Sequence, residues 1–407
     1  MLPEDRRISI WRNNMRKQSV QRAFFLWAMY SLVANFAHPI TPTFIQDLGL
    51  RDYMFGVAFA CMAITNFAFS PFWGKISKSI GASRLMGICF LGYAFAQAVF
   101  GSATTELQIA IGRLIGGFFI GGITVNQILY IMENSAPGKA GQNLATNVTV
   151  NVVVAAFGYM MGGFLGNISI PMTFMVQVAG LTVNGILYWV LLKDADIERH
   201  KLTVKEVVAN SNPFQAVVDA KVIMTYAIAM FLVVCLSTQF ATTCYEQCFN
   251  YFIKDQYGFP PSYNGLLKAA VGVITMIANS TICVYLMKKT NIFKSLIPVL
   301  AICFAMMMSI VVLDKVVPFI IMNVVFFGFN AVYQPLIQAM ISKLSDKDDG
   351  IMVGLFNSMR SLGMVGGSLF AGFIYEVGPK LSFVFSAMAF LIAIAATFAM
   401  NRKMKYM

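Results

Sequence analysis

One acidic side chain lies well inside a long apolar run of this sequence: Glu246, in the segment YEQCFNYF (Tyr245–Phe252). Hydrocarbon surroundings disfavour a charge, so a carboxyl group placed there could take up and release a proton. The other interpretation is that Glu246 stays ionised and pairs with Arg360 or Arg113, two arginines that also lie in apolar runs. Glu246 is therefore a candidate either for proton coupling or for a structural ion pair.

Further titratable groups lie in the apolar runs. Arg360 is about nine residues into its run, which at ~1.5 Å per residue places it near the middle of a bilayer. An arginine at that depth must be paired, hydrated or bound to an anion. His38 could titrate near physiological pH or form a hydrogen bond beside Pro39. Lys268, near the start of its run, is expected to snorkel outward.

Polar side chains recur at helical spacing in four of the apolar runs. Residues three or four positions apart share one face of a helix, so each set could line a cavity. The alternative is hydrogen bonding between helices, which contributes only ~0.6–2 kcal/mol per bond in a membrane. With Arg360 added, the candidate substrate-binding residues from these sets are Asn35, His38, Gln127, Gln239, Thr243, Asn250, Asn330, Gln334 and Arg360.

Membrane helices must position these residues, because the chain is too apolar for an ordinary soluble protein. Of its 407 residues, 58% are hydrophobic and 12% are charged, whereas a soluble domain carries about 25% charged residues. A membrane span needs about 20 mainly apolar residues. Twelve runs qualify: 23–45, 54–73, 85–102, 107–132, 144–165, 171–192, 223–252, 266–287, 295–313, 317–341, 351–374 and 381–400. The sequence thus predicts an all-α membrane protein with twelve transmembrane helices.

The basic residues predict the orientation of these spans. If the N-terminus is cytoplasmic, most of the 30 lysines and arginines fall on the cytoplasmic side, as the positive-inside rule requires. The net charge of +12 is then a topology signal, and no nucleic-acid partner is expected. An even number of spans places both termini in the cytoplasm.

The longest polar stretch divides the chain into two sets of six spans. The predicted segments are a basic cytoplasmic N-terminus (1–22), two six-helix bundles (23–192 and 222–400), a cytoplasmic linker (193–221) and a cytoplasmic tail (401–407). A weak repeat supports an internal duplication, because VNQILYIM (Val125–Met132) in the fourth span is echoed by VYQPLIQAM (Val332–Met340) in the tenth. The two bundles are therefore expected to be pseudo-symmetric, with Gln127 matching Gln334.

With these features the chain resembles the major facilitator superfamily (MFS) of secondary transporters, in particular its twelve-helix drug:proton antiporter branch. In the first span, the segment NFAHPITPTFIQDLGL (Asn35–Leu50) has the spaced prolines Pro39 and Pro42. As in that branch, an acidic residue followed by Leu and Gly comes after the span. In the fourth, IAIGRLIGGFFIGG (Ile109–Gly122) is similar to the family motif centred on Arg113. The resemblance implies that the first, fourth, seventh and tenth spans surround a central cavity.

The resemblance also assigns roles to individual residues. It implies a part for Arg113 in proton transfer or helix packing, which makes Glu246, Arg113 and His38 the proton-coupling candidates. The loop between the second and third spans resembles the family's gating motif at Gly74, Lys78, Gly81 and Arg84.

Two positions depart from the family pattern. Ser77 stands where the gating motif usually has Asp, and Gly163 stands at the proline of the Gly-Pro step found in exporters. In the family, charged residues of the gating motif interact and lock one conformation of the transporter. This interaction is therefore expected to be weaker or built differently here. The missing proline leaves the direction of transport open.

The functional expectation is a proton-coupled exporter of small, amphipathic organic molecules that works by alternating access, and not an enzyme. The alternative is uptake or exchange of an organic anion or an anionic lipid, favoured by Arg113, Lys268 and Arg360 against the single Glu246. The seven cysteines lie within predicted spans and the chain has only two histidines, so neither a metal site nor a cofactor is expected. The protein is expected to be a monomer in the lipid bilayer of a bacterial-type cell membrane, with a small-molecule substrate and protons as its partners.

Overall fold

Helices make up nearly all of the structure, a computed structural model that describes the backbone of residues 4–136, 139–194, 224–344 and 349–404 and the single positions Glu206 and Asn212. In the first half of the chain they are α1 (Glu4–Ala34), α2 (Ala37–Asp47), α3 (Met54–Ile80), α4 (Ala82–Gly101), α5 (Glu106–Asn134), α6 (Ala140–Ile168) and α7 (Ile170–Leu191). In the second half they are α8 (Tyr226–Asp255), α9 (Pro261–Ala278), α10 (Val284–Lys289), α11 (Ile292–Val312), α12 (Val316–Leu344), α13 (Asp349–Val377) and α14 (Leu381–Met404). A π-helical segment (Asn279–Cys283) joins α9 to α10.

The helices reproduce the predicted spans. Within the described part of the chain, eleven helical segments are long and apolar enough to cross a membrane, and α13, which contains Arg360, is a further helix of 29 residues. Helices suit this composition because each satisfies its own backbone hydrogen bonds where no water is available. Most of the predicted linker 193–221 lies outside the described residues.

The first predicted span is broken into two helices at Asn35 and Phe36. Pro39 causes the break, since it has no N–H to donate to the Asn35 carbonyl and its ring would collide with that group. The Ala34 carbonyl, which the break leaves free, instead accepts a hydrogen bond from Gln177 Nε2 of α7 at 2.9 Å. Gly162 of α6 lies against the Phe36 backbone so closely that a Cβ there would clash with the Phe36 carbonyl. The break is thus held by two neighbouring helices.

The chain forms two compact units, Met1–Ile40 with Thr65–Asn212, and Thr41–Ile64 with Pro213–Met407. In the first unit, α4 packs against α5 and α7 around a buried aromatic core that includes Trp27, Tyr30, Phe90 and Tyr188. In the second unit, α8 packs against α13 and α14.

The segment Thr41–Ile64 belongs to the first half of the sequence but to the second compact unit. Gly56 and Gly372 bring α3 and α13 into backbone contact, where a Cβ on either residue would clash. The Tyr251 hydroxyl donates a hydrogen bond to Asp52 Oδ1, and the Phe55 ring stacks on Tyr251. The boundary of the units at Asn212 falls within the predicted linker.

Candidate functional site

Glu246 of α8 forms an ion pair with Lys268 of α9. The Glu246 Oε1 and Lys268 Nζ atoms are 3.7 Å apart, and the side chains are 37% and 10% exposed, respectively. Lys268 Nζ also lies 5.3 Å from the centre of the Phe327 ring of α12. The expectation that Lys268 snorkels outward is therefore wrong: its side chain is directed inward, because Glu246 offers a carboxylate and Phe327 an aromatic face.

Arg360 of α13 has no carboxylate partner among the residues that the structure describes. Its Nε donates a hydrogen bond to Gln239 Oε1 of α8 at 3.1 Å, and its guanidinium carbon lies 5.4 Å from the centre of the Phe356 ring. Gln239 Nε2 in turn donates to Thr243 Oγ1 at 3.2 Å. Gln239 is thus oriented with its oxygen toward the arginine, and no described residue neutralises the positive charge of Arg360.

A small polar pocket lies beside Arg360, between α8, α12 and α13. Its volume is about 20 Å³, room for a water molecule or for one charged group of a larger ligand. The lining residues are Cys235, Thr238, Gln239, Tyr333, Gln334, Ile337, Gln338, Phe356 and Arg360. Three predicted site residues, Gln239, Gln334 and Arg360, are thus brought together.

Sequence reasoning missed two polar members of this pocket, Thr238 and Gln338. Gln338 follows Gln334 by four residues, so extending the polar face of the tenth span by one turn would have found it. Thr238 precedes Gln239 and lies on a neighbouring face of the helix. It is therefore outside the set of polar residues at helical spacing that was used to choose the candidates.

Asn330 and Thr243, two more of the candidates, are buried beside this pocket. Thr242 Oγ1 donates to Asn330 Oδ1 at 3.2 Å and is also hydrogen-bonded to the Tyr333 hydroxyl. Asn330 therefore serves the contact between α8 and α12. Asn250, one turn beyond Glu246, has a buried Oδ1 with no hydrogen-bond partner among the described residues.

The first unit holds Asn35 and His38 at the break between α1 and α2. Asn35 Nδ2 donates to the Ser31 carbonyl at 2.6 Å, and the His38 ring stacks on Tyr159 of α6 with 5.2 Å between ring centres. Both side chains are half-buried.

Gln127 and Arg113 of α5 are both buried. Gln127 Nε2 donates to Asn147 Oδ1 of α6 at 2.9 Å, and its Oε1 accepts from the Tyr188 hydroxyl of α7 at 3.1 Å. The guanidinium of Arg113 lies 3.7 Å from the centre of the Phe100 ring. Gln127 therefore packs helices together, in contrast to Gln334, its counterpart in the repeat, which lines the pocket.

The predicted gating loop is mostly helical: α3 continues to Ile80 and α4 begins at Ala82, so the turn between them is made at Gly81. Gly81 adopts a φ of 106°, which only glycine tolerates without strain. The Ser83 N–H donates to Asp194 Oδ1 at 2.8 Å, so a carboxylate from the end of the sixth span caps the start of α4. The Arg84 carbonyl accepts a bond from Trp189 Nε1 at 2.9 Å. Sequence reasoning missed Asp194, which is distant in the chain.

The other two members of the gating motif are Gly74 and Lys78. Gly74 faces Val125 of α5, whose Cγ1 would lie 3.4 Å from an added Cβ. The side chain of Lys78 is outside the described residues.

The second unit therefore offers the Glu246 carboxylate, which is paired with Lys268, and the Arg360 cation, which has no carboxylate partner among the described residues. Among the residues that the structure describes, no group of three or more His, Cys, Asp and Glu side chains could hold a metal ion.

The sequence matches the profile of a known protein family. The profile of the Major Facilitator Superfamily matches residues 23–329, well over half of the chain. The chain therefore belongs to the Major Facilitator Superfamily, and it is a multi-pass membrane transporter of small molecules rather than an enzyme. The predicted fold class and family are confirmed, while the cytoplasmic position of the termini stays a prediction.

The relatives and solved structures that are similar to this chain carry different names. Multidrug resistance protein 1 of Bacillus subtilis is 24% identical over 372 residues, covering 89% of this chain and 90% of its own. The solved structure of a bacterial homologue of the human lysosomal transporter Spinster has a TM-score of 0.77 at 11% identity, covering 95% of this chain and 97% of its own. The human organic anion transporter MFSD10 (TETRAN) has a TM-score of 0.67 at 14% identity, covering 94% of this chain and 99% of its own. At these identities the two structures show the fold alone.

Proposed function

We propose that this protein exports small, amphipathic organic molecules in exchange for protons, and that Glu246 carries the proton. The observation that carries the proposal is the pairing of Glu246 with Lys268 at 3.7 Å. The similarity to Multidrug resistance protein 1 of Bacillus subtilis supports the substrate class and the outward direction. The protein would act as a monomer in a bacterial cell membrane, with both termini in the cytoplasm.

The geometry of the pair suits a proton carrier. At 3.7 Å the two groups attract each other without a short hydrogen bond, and the 37% exposure of Glu246 leaves part of its side chain uncovered by protein. When Glu246 takes up a proton, the attraction is lost and the local charge increases by one. A substrate that favours the ionised carboxylate is then released, which couples proton entry to substrate exit.

Transport in proteoliposomes under an imposed pH gradient tests this mechanism. A panel of ethidium as a lipophilic cation, a neutral dye and fluorescein as an organic anion first identifies a transported probe. In Glu246→Gln we expect gradient-driven transport of that probe to fall to the level of protein-free liposomes, while binding of the probe stays measurable. The matched control is Glu376→Gln, the same chemical change at an exposed residue near the end of α13, which should transport normally.

A second variant separates coupling from stability. Glu246→Gln leaves Lys268 without its carboxylate, which destabilises the unit, whereas Glu246→Gln with Lys268→Met removes both charges. We expect the double variant to recover thermal stability but not gradient-driven transport. Gradient-driven transport by either variant at the wild-type rate would refute the assignment of Glu246.

The second candidate function is the uptake or exchange of an organic anion. The observation that favours it is Arg360, whose charge is unpaired among the described residues and which borders a pocket with the amide side chains of Gln239, Gln334 and Gln338. An anionic group that entered the pocket would neutralise Arg360 and accept hydrogen bonds from these amides.

A further inference from the structure

The second unit has a groove at the end where α11 begins and α14 finishes. Its volume is about 470 Å³, and it is lined by Asn291, Phe293, Lys294, Ile297, Phe398, Asn401 and Arg402. All these residues are remote in sequence from Glu246 and Arg360, and the proposed transport function does not use them.

Two cations from different helices border this groove. Lys294 of α11 and Arg402 of α14 are both exposed, and neither forms an ion pair with any residue in the described part of the chain. None of the lining residues is acidic. The groove therefore presents two positive charges that are free to bind a ligand.

The charges lie at the level where apolar helix meets polar surroundings. The membrane-spanning segments of these helices, Ile292–Val312 and Leu381–Lys403, respectively begin and end at the groove. A bilayer places the charged headgroups of its lipids at this level and the acyl chains beside the apolar part of the helices.

The remaining walls of the groove match the apolar part of a lipid. Phe293 and Ile297 lie on α11 next to Lys294, and Phe398 of α14 is 62% exposed. Asn401 Nδ2 donates to the Phe293 carbonyl at 2.7 Å, a bond that fixes the spacing of the two helices. The groove thus combines two cationic side chains with apolar and aromatic ones.

We propose that this groove binds an anionic phospholipid, with its phosphate between Lys294 and Arg402 and an acyl chain along Phe398 and Ile297. Basic clefts between membrane helices are suited to anionic headgroups. A zwitterionic lipid satisfies the apolar wall but brings no net charge to the two cations. The bound lipid would link α11 to α14 from the membrane side.

Lipid binding to the purified full-length protein tests the proposal. Native mass spectrometry and thermal shift are measured with phosphatidylglycerol, with phosphatidylcholine and with inorganic phosphate. We expect phosphatidylglycerol to bind and to raise the melting temperature, and the other two to have little effect. In Lys294→Gln with Arg402→Gln we expect phosphatidylglycerol to bind about 30-fold more weakly, since each basic residue at an anionic headgroup contributes about fivefold.

Two matched double variants make the result specific. Lys288→Gln with Lys289→Gln removes two exposed basic residues at the end of α10 that do not line the groove, and it should bind phosphatidylglycerol as the wild type does. Lys294→Arg with Arg402→Lys keeps both charges and should also bind. Equal binding of phosphatidylcholine, equal stabilisation by inorganic phosphate, or undiminished binding by the Lys294→Gln and Arg402→Gln double variant would each overturn the proposal.

Discussion

Arg360 shows how one buried residue can distinguish two substrate classes. Its guanidinium is held by the amide oxygen of Gln239, a neutral partner, and no carboxylate among the described residues compensates its charge. Such a charge is unfavourable in a membrane unless an anion or water stabilises it. If the protein carries organic anions, Arg360 should hold the anionic group.

We predict how Arg360→Gln changes ligand binding. For an anion carrier, thermal stabilisation by fluorescein is lost in Arg360→Gln and partly kept in Arg360→Lys, which retains the charge but not the forked geometry. For the exporter that we favour, stabilisation by the transported amphipathic probe survives both changes. Thermal shift of the three proteins with each probe separates the two functions.

Single residues stood out in the sequence where a charge lay within an apolar run. Glu246 and Arg360 stood out as charges in apolar runs, and both lie at sites with defined partners. The direction of the Lys268 side chain could not be predicted, because helical depth does not reveal which neighbouring helix offers a carboxylate. The polar spacing of Gln127 likewise could not distinguish a cavity from the packing that the structure shows.

At the scale of helices, the sequence predicted the first span as one continuous run, whereas the structure divides it into α1 and α2. Pro39 accounts for the break, but not for the group that stabilises it. The side chain that satisfies the freed Ala34 carbonyl, Gln177, comes from a helix more than a hundred residues away. Local sequence carries no information about such a partner.

We predict that Asp194 stabilises the start of α4. Asp194 accepts the Ser83 N–H bond and lies at the positive end of the helix, so Asp194→Ala should destabilise the first unit by about 1 kcal/mol. The apparent melting temperature should fall by about 2–4 °C, and Asp194→Asn, which keeps an acceptor, should lose less. Differential scanning fluorimetry in detergent measures this.

Glu376→Ala serves as the control for that cap, because it removes an exposed carboxylate near the end of α13. Its melting temperature should be unchanged. If Asp194→Ala melts with the wild type, the carboxylate does not stabilise α4.

At the scale of the whole molecule, hydropathy was sufficient to predict an all-helical membrane protein, and eleven of the described helical segments are long and apolar enough to span a bilayer. Span length and apolar composition determine this feature, so it can be derived without tertiary information. The assignment of Thr41–Ile64 to the second unit could not be derived in this way. It depends on long-range contacts, such as the close approach of Gly56 to Gly372, that hydropathy does not contain.

The central claim is that substrate and proton exclude each other at Glu246, and proton release on substrate binding tests it most directly. The transported probe is added to purified protein in weakly buffered solution at a series of starting pH values, and the pH change is recorded. We predict release of up to about one proton per transporter, because one carboxyl group titrates, and no release from Glu246→Gln although the probe still binds. Equal proton release from the wild type and Glu246→Gln, or none from the wild type at any pH where the probe binds, would contradict proton-coupled export through Glu246.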